Sequence, residues 1–226
     1  MKRNPPAGNV RRVQAIGDNL RHTLTSKTCR TIQCESFNEY KLVLCLERDK
    51  TVKDYLSQPE TLEYISQDGS SHRYTPDFKV WRTNERIEIH EVTLEERAEK
   101  RARQPERERA TRQWCEERGW MYQLHTEQTL PSGTALANLQ FLFGYRPGIY
   151  ANPTIQEAAS NMLALTSKLS LTSLVERLCD ELVLNPADVI PALLHLLWTQ
   201  GLSTDMDRLL CLDGALNPLS QAWLLK

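Results

Sequence analysis

The residues best placed to do chemistry lie in two short stretches, Tyr74-Thr75-Pro76-Asp77-Phe78 and Ile87-Glu88-Ile89-His90-Glu91-Val92-Thr93. One carries an acid directly after Pro, the other an acid two residues before a strand-borne polar group. Phosphodiester hydrolysis by a metal site needs such acids, because a divalent cation must be held by oxygen ligands beside an activated water. In a strand, residues i and i+2 share a face, so Glu91 and Thr93 are expected to point together with Val92 buried opposite. Asp77 would arrive from the neighbouring strand. The same residues would also suit an ordinary exposed hairpin with solvated carboxylates.

The elements that must position these groups follow from local pattern. Pro76 suits the first residue of an entering strand, since it has no N–H for the ladder. Phe78 and Val80, with Trp81, supply the apolar side, and residues 82–86 make the hairpin with Asn84 at its turn. Residues 95–118 hold seven acids and eight bases, interleaved, which reads as a solvated helix face laced with i,i+4 pairs. Arg101, Arg103, Arg107 and Arg109 could still contact phosphate. Pro105 is expected to split the stretch into two helices, with Ala110 and Trp114 as the apolar side of the second and Gly119 as its cap. Residues 120–124 read as another strand. The expected order is helix, strand, strand, strand, helix, strand.

Composition bounds the remainder. The chain has 226 residues, enough for two small domains, and a net charge of -1 that exerts no global pull on phosphate. Residues 1–30, however, carry seven Lys or Arg against Asp18 alone, a basic arm whose Arg3, Arg11, Arg12, Lys27 and Arg30 could exchange counterions on a DNA backbone or simply solubilise the chain. Six cysteines without Cys-x-x-Cys or paired His spacing argue against zinc and for reduced thiols. With neither a membrane-length apolar run nor a secretory signal, the chain is expected in the cytoplasm. His90 alternates away from Glu91 and reads as structural.

A boundary is expected near residues 145–148, after the apolar segment 136–143. Beyond it the chain becomes helical and Leu-rich. One helix spans 154–165 after Asn152-Pro153. A second has Ser173 and Glu176 as its capping box, and a third is capped by Asn185, opened by Pro186 and bent at Pro191. Few cations mark that third helix, His195 being its only basic side chain.

The first half also contains Glu35-Ser36-Phe37-Asn38-Glu39-Tyr40, an apolar helix, then Val52, Asp54-Tyr55 and Gln58-Pro59, a strand over 61–65, Arg73-Tyr74-x-Pro76-Asp77-Phe78 and Glu91-Val92. This order, over roughly residues 29 to 130, resembles TnsA, the endonuclease subunit of heteromeric, cut-and-paste bacterial transposases. The resemblance implies an α/β fold: a restriction-endonuclease-like core of the PD-(D/E)xK type over 31–146, with a mixed sheet and flanking helices. A small, mostly α winged-helix domain over 147–226 would follow. It implies Mg2+, or Mn2+, held by Glu39, Asp77 and Glu91. The family's usual lysine is Thr93 here, so either the hydroxyl positions the water, a cation such as Lys79 or Lys100 takes the role, or the domain is a scaffold bridging its partners. Lys79 shares the face of Asp77 by period two. The implied partners are double-stranded DNA at transposon ends, a DDE-type transposase subunit (TnsB-like) and an ATPase regulator (TnsC-like), with action at the nucleoid. Residues 209–226 are the candidate docking segment, through Leu219, Trp223, Leu224 and Leu225.

Overall fold

A computed structural model describes residues 22–97 and 106–225. Arg3, Arg11, Arg12, Lys100, Arg101, Arg103 and Pro105 therefore lie outside the described residues. The chain forms two compact units that divide between Pro131 and Ser132.

In the first unit a hairpin of β1 (His22–Thr25) and β2 (Thr31–Cys34) leads into helix α1 (Phe37–Arg48). Ser36 caps α1 by accepting from the Glu39 N–H, and Glu39 reaches back to the Glu35 N–H at 2.8 Å, a reciprocal capping box. A four-stranded sheet follows in the order β3 (Val52–Ser57), β6 (Phe78–Arg82), β7 (Ile87–Val92), β8 (Met121–His125). It is mixed: β3–β6 and β6–β7 are antiparallel and β7–β8 is parallel. A separate hairpin, β4 (Leu62–Ile65) with β5 (Ser71–Tyr74), ends just before Asp77. The turn from β6 to β7 closes at Arg82 N–H to Arg86 O, 2.9 Å, with Glu85 at positive φ after Asn84.

Alternation along the strands sorts the side chains. Tyr55, Phe78 and Val80 face α1 and are fully buried with Leu42, Val43 and Leu46. Each such side chain contributes about 1.5–3 kcal/mol of transfer free energy. The other face carries Asp77, Lys79, Glu91 and Tyr122 and is covered by α2 (Glu106–Glu116), which packs on β8 and β4. Thr111 and Cys115 are the buried residues of α2, one position on from the expected Ala110 and Trp114. Trp114 instead packs edge-on against Trp120 under the Arg118 guanidinium. Gly119 does close the helix in the left-handed region, donating to Glu116 O.

The second unit holds α3 (Gly133–Phe143), a 3-10 turn (Gly148–Tyr150), α4 (Pro153–Thr166), α5 (Leu171–Leu182) and α6 (Pro186–Trp198). A small sheet, β9 (Leu169–Ser170), β13 (Gln221–Trp223) and β10 (Ser203–Thr204), and a hairpin of β11 (Cys211–Leu212) and β12 (Ala215–Leu216) complete it. The division falls before α3, not at 146–147. That helix packs on α6, and its buried Asn138 donates to Met206 O and Arg208 O while accepting from Leu210 N–H. The cap of α5 is Ser170 rather than Ser173, because the chain turns out of β9 there and Ser170 Oγ accepts the Ser173 N–H. His195 is buried, with Nδ1 on Tyr145 O at 2.8 Å, so it is no surface cation.

The basic arm also ends earlier than residue 30. From His22 the chain is part of the first unit: the Lys27 ammonium donates to Asp49 O and Val52 O, and Arg30 pairs with Asp54 at 3.1 Å. Burial, opposed by the charges of Glu47 and Asp49, pulls Lys27 below its ordinary pKa. These two cations are tied to the fold and not held out on an arm.

Candidate active site

Asp77 enters the sheet between two neighbours. Continuing the β3–β6 and β6–β7 registers places it beside Gln58 on one side and Glu91 on the other. The Gln58 N–H donates to Asp77 O at 2.7 Å, and the Val92 N–H donates to the Asp77 carboxylate at 2.8 Å. Gln58 is buried at φ +47, a left-handed conformation that costs about 1 kcal/mol for a non-glycine and recurs where a site needs a backbone group aimed. Backbone donors on both flanks fix where the carboxylate stands.

Glu91 is 2% exposed and lies on the same face. Its Oε1 accepts from Arg107 Nη2 at 2.7 Å, and its Oε2 accepts from the Tyr122 hydroxyl at 2.9 Å. Tyr74, the last residue of β5, lies near Asp77 and Glu91, and both charges act on its hydroxyl. Burial, then the charges of Asp77 and Glu91, drive the Tyr74 hydroxyl far above its ordinary pKa, and burial with Glu91 does the same to Tyr122. Both phenols therefore remain donors at any physiological pH. Thr93 stands two residues on, 6% exposed, and its hydroxyl has no hydrogen-bond partner among the described residues. A buried, orphaned hydroxyl costs about 1–3 kcal/mol, which a ligand or water oxygen would recover.

The other expected members are held elsewhere. Both Glu39 carboxylate oxygens serve the α1 cap, accepting from Glu35 N–H and Ser36 Oγ. Among the described residues no three His, Cys, Asp or Glu side chains converge closely enough to hold a metal ion. Lys79 does lie on the face of Asp77. There it pairs with Glu60 at 2.6 Å and sits 3.7 Å from the centre of the Trp120 ring, so it is not poised over the carboxylates.

On the opposite face of β7, toward α1, runs a buried polar chain. Arg82 joins Asp49 and Glu88; Glu88 accepts from His90 Nε2 at 2.9 Å; His90 Nδ1 and His125 Nε2 then share a hydrogen bond at 3.0 Å. Because an ionised Glu88 can only accept, His90 Nε2 carries a proton. Burial alone would raise the Glu88 pKa, but the hydrogen bonds from His90 and Arg82 win and lower it to about 2. Burial and the neighbouring His90 lower His125 to about 4, so it is neutral at pH 7. His90 is a buried structural member of this network, as its alternation predicts.

Residues 49–127 match the family model described as TnsA-like endonuclease N terminal. This segment is a TnsA-like endonuclease domain. The match spans about a third of the chain and contains Asp77, Glu91, Thr93, Tyr74, Arg107 and Tyr122. No curated protein matches the chain. Within the TnsA-like segment, sequence reasoning missed Tyr122 and the pairing role of Arg107, since neither lies in a motif and both reach Glu91 only through the fold. Tyr74 was visible beside Pro76-Asp77, but its hydroxyl role was not.

Proposed function

We propose that the protein is the DNA endonuclease subunit of a heteromeric transposase, hydrolysing one strand on the 5′ side at transposon ends during cut-and-paste transposition. The observation that carries this reading is that Asp77 and Glu91, neighbours by extension of the β6–β7 register, share a sheet face by alternation with Thr93, whose hydroxyl is unpartnered among the described residues. Two hard carboxylates fit Mg2+, which is commonly held by one or two carboxylates with water and substrate phosphate completing the octahedron. Asp77 and Glu91 are the residues that would hold it. Glu39, whose carboxylate also holds the α1 cap, is the third ligand that the resemblance implies. Mn2+ suits the same donors. When bound, the ion supplies Lewis-acid stabilisation of the phosphoryl oxygens and a more acidic water.

The chain's own groups do the positioning. Val92 N–H and Gln58 N–H hold Asp77; Tyr122 and Arg107 hold Glu91. The unpartnered Thr93 hydroxyl would hydrogen-bond the attacking water, a role its short side chain can fill where it cannot supply positive charge. The partners that fit this reading are a DDE-type transposase subunit that cuts the other strand and an ATPase regulator. In the second unit Leu219 and Leu225 are exposed at 65% and 52%, whereas Trp223 and Leu224 are half-buried, so the first two are the better docking residues.

The test is strand-specific cleavage of labelled transposon-end DNA with the transposase and regulator, in Mg2+ and Mn2+. Asp77→Ala should fold normally and abolish the cut; cleavage unchanged in that variant would sink the site. A second reading, a scaffold that bridges transposase and regulator without cutting, is favoured by the ion pair of Arg107 on Glu91. It requires that wild type make no cut.

A further inference from the structure

We infer that Arg107 binds a phosphate of the DNA backbone immediately beside the Asp77 and Glu91 carboxylates; the inference rests on the endonuclease reading. The guanidinium is held at two points. Its Nη2 donates to Glu91 Oε1 at 2.7 Å, and its carbon lies 4.3 Å from the centre of the Tyr74 ring. A flat cation clamped between a carboxylate and an aromatic face has few orientations left. It has therefore lost in advance most of the rotamer freedom that binding an anion would otherwise cost.

The donors that remain set Arg107 apart from its neighbours. Among the described residues Nε and Nη1 of Arg107 donate to no protein group, and its side chain is 32% exposed while Glu91 is buried. Arg112, one turn along α2, spends both Nε and Nη2 on Glu108. Arg82 is spent on Glu88, Asp49 and Thr51, and Lys79 on Glu60. Arg109 is exposed to solvent. A guanidinium with one nitrogen fixed and the rest of its fork open matches an anion presenting two oxygens side by side, which is how a phosphodiester meets arginine. Glu91 already receives the Tyr122 hydroxyl, so a purely structural pair would not need a half-exposed guanidinium with two unused nitrogens.

The geometry also answers the charge balance of the site. Two carboxylates alone repel an incoming phosphate; a guanidinium anchored to one of them compensates within a few ångströms and remains in place when the acid is engaged elsewhere. Arg107 would then be a positioning residue that sets the scissile strand over Asp77 and Glu91.

The experiment is fluorescence anisotropy of a labelled transposon-end duplex with the full-length protein in metal-free buffer over a salt series, for wild type, Arg107→Gln and Arg107→Lys, with thermal unfolding as a fold check. Gln can still hydrogen-bond Glu91 but cannot bind an anion. Arg107→Gln is expected to bind about tenfold more weakly, with a salt slope smaller by about one counterion. Arg107→Lys keeps a point charge without the fork, so its slope should stay while its affinity falls severalfold; it also carries the test if Arg107→Gln does not fold. Wild-type affinity and slope in both variants would overturn the inference, as would a wild-type protein that binds no duplex at low salt. Wild-type cleavage of transposon ends alongside unchanged binding would fault the phosphate contact alone, whereas absent wild-type cleavage would fault the endonuclease reading with it.

Discussion

Replacing Glu88 by Gln removes the charge at the centre of the buried chain behind the site, and its consequence can be worked out from the structure. The carboxylate takes three donors, Arg82 Nε at 2.9 Å, Arg82 Nη2 at 2.7 Å and His90 Nε2 at 2.9 Å. These lower its pKa from the ordinary 4.5 to about 2. A folded pKa below the unfolded one means that the unfolded chain binds the proton more readily, so the stabilisation is present above pH 4.5 and is lost as pH falls through about 2. At about 1.4 kcal/mol per unit, the shift corresponds to roughly 3 kcal/mol at pH 7 and roughly 1 kcal/mol at pH 3. Urea unfolding of wild type and Glu88→Gln, followed by tryptophan fluorescence, should therefore show a gap of that size at pH 7 that narrows by somewhat more than half at pH 3. A gap that stays constant between the two pH values would refute the argument, because it would come from packing or amide geometry and not from the carboxylate charge. The same strand carries Glu91, so loosening at Glu88 should also lower cleavage without altering the metal requirement.

Three further outcomes follow. His125, held neutral with a pKa near 4, should make wild-type stability fall between about pH 6.5 and pH 4, since the unfolded chain takes up the proton first; His125→Gln should flatten that limb in the same unfolding series. Tyr122→Phe deletes one donor to buried Glu91 and should cost about 1–2 kcal/mol by thermal unfolding while slowing cleavage; an unchanged midpoint would mean that the hydroxyl does not support the acid. Leu219→Ser with Leu225→Ser should weaken regulator or transposase binding in calorimetry at unchanged melting temperature. Removing residues 209–226 instead should melt the second unit, because Ala222 is buried between β9 and β10 and Ser220 O accepts the Leu171 N–H.

What the sequence could and could not reveal divides along physical lines. Groups set by local pattern were legible: the strands that present Asp77 and Glu91, the turn after Arg82, the cap at Gly119, the inward turn of His90. Alternation and turn chemistry act within a few residues, so a linear reading captures them. What failed depended on packing. The β1–β2 hairpin hid inside a basic stretch, because four-residue strands carry too little periodicity to stand out. The buried stripe of α2 was displaced by one residue, because Thr111 and Cys115 pack on β8 and β4 although Trp114 is more apolar. Glu39 was legible as a family position but not as a cap residue, although its spacing to Ser36 is that of a capping box. The unit boundary was missed because Asn138 makes its decisive bonds with residues about seventy positions away.

Thr93 is where these threads meet, and Thr93→Lys separates the two readings of the protein. The threonine is nearly fully buried beside Glu91 with an unsatisfied hydroxyl, so a lysine there must thread an aliphatic stem through packed surroundings. It would lose up to about 2 kcal/mol of rotamer freedom to place an ammonium near the acids. Attraction to Asp77 and Glu91 offsets part of that cost, so the variant should fold with a melting temperature lowered by a few degrees. If Arg107 already provides the cation at the carboxylates, a second one adds nothing that the phosphate needs, and the overpacked water position should make cleavage equal to wild type or slower. In Arg107→Gln, by contrast, Thr93→Lys restores the missing charge and should recover part of the lost cleavage. A scaffold that has shed its chemistry behaves in the opposite way: wild type makes no cut, and cutting appears on introduction of Lys at 93 whether or not Arg107 is present. Measured in the same strand-specific assay, the four combinations of the two positions therefore assign the cation to α2, to the strand, or to neither.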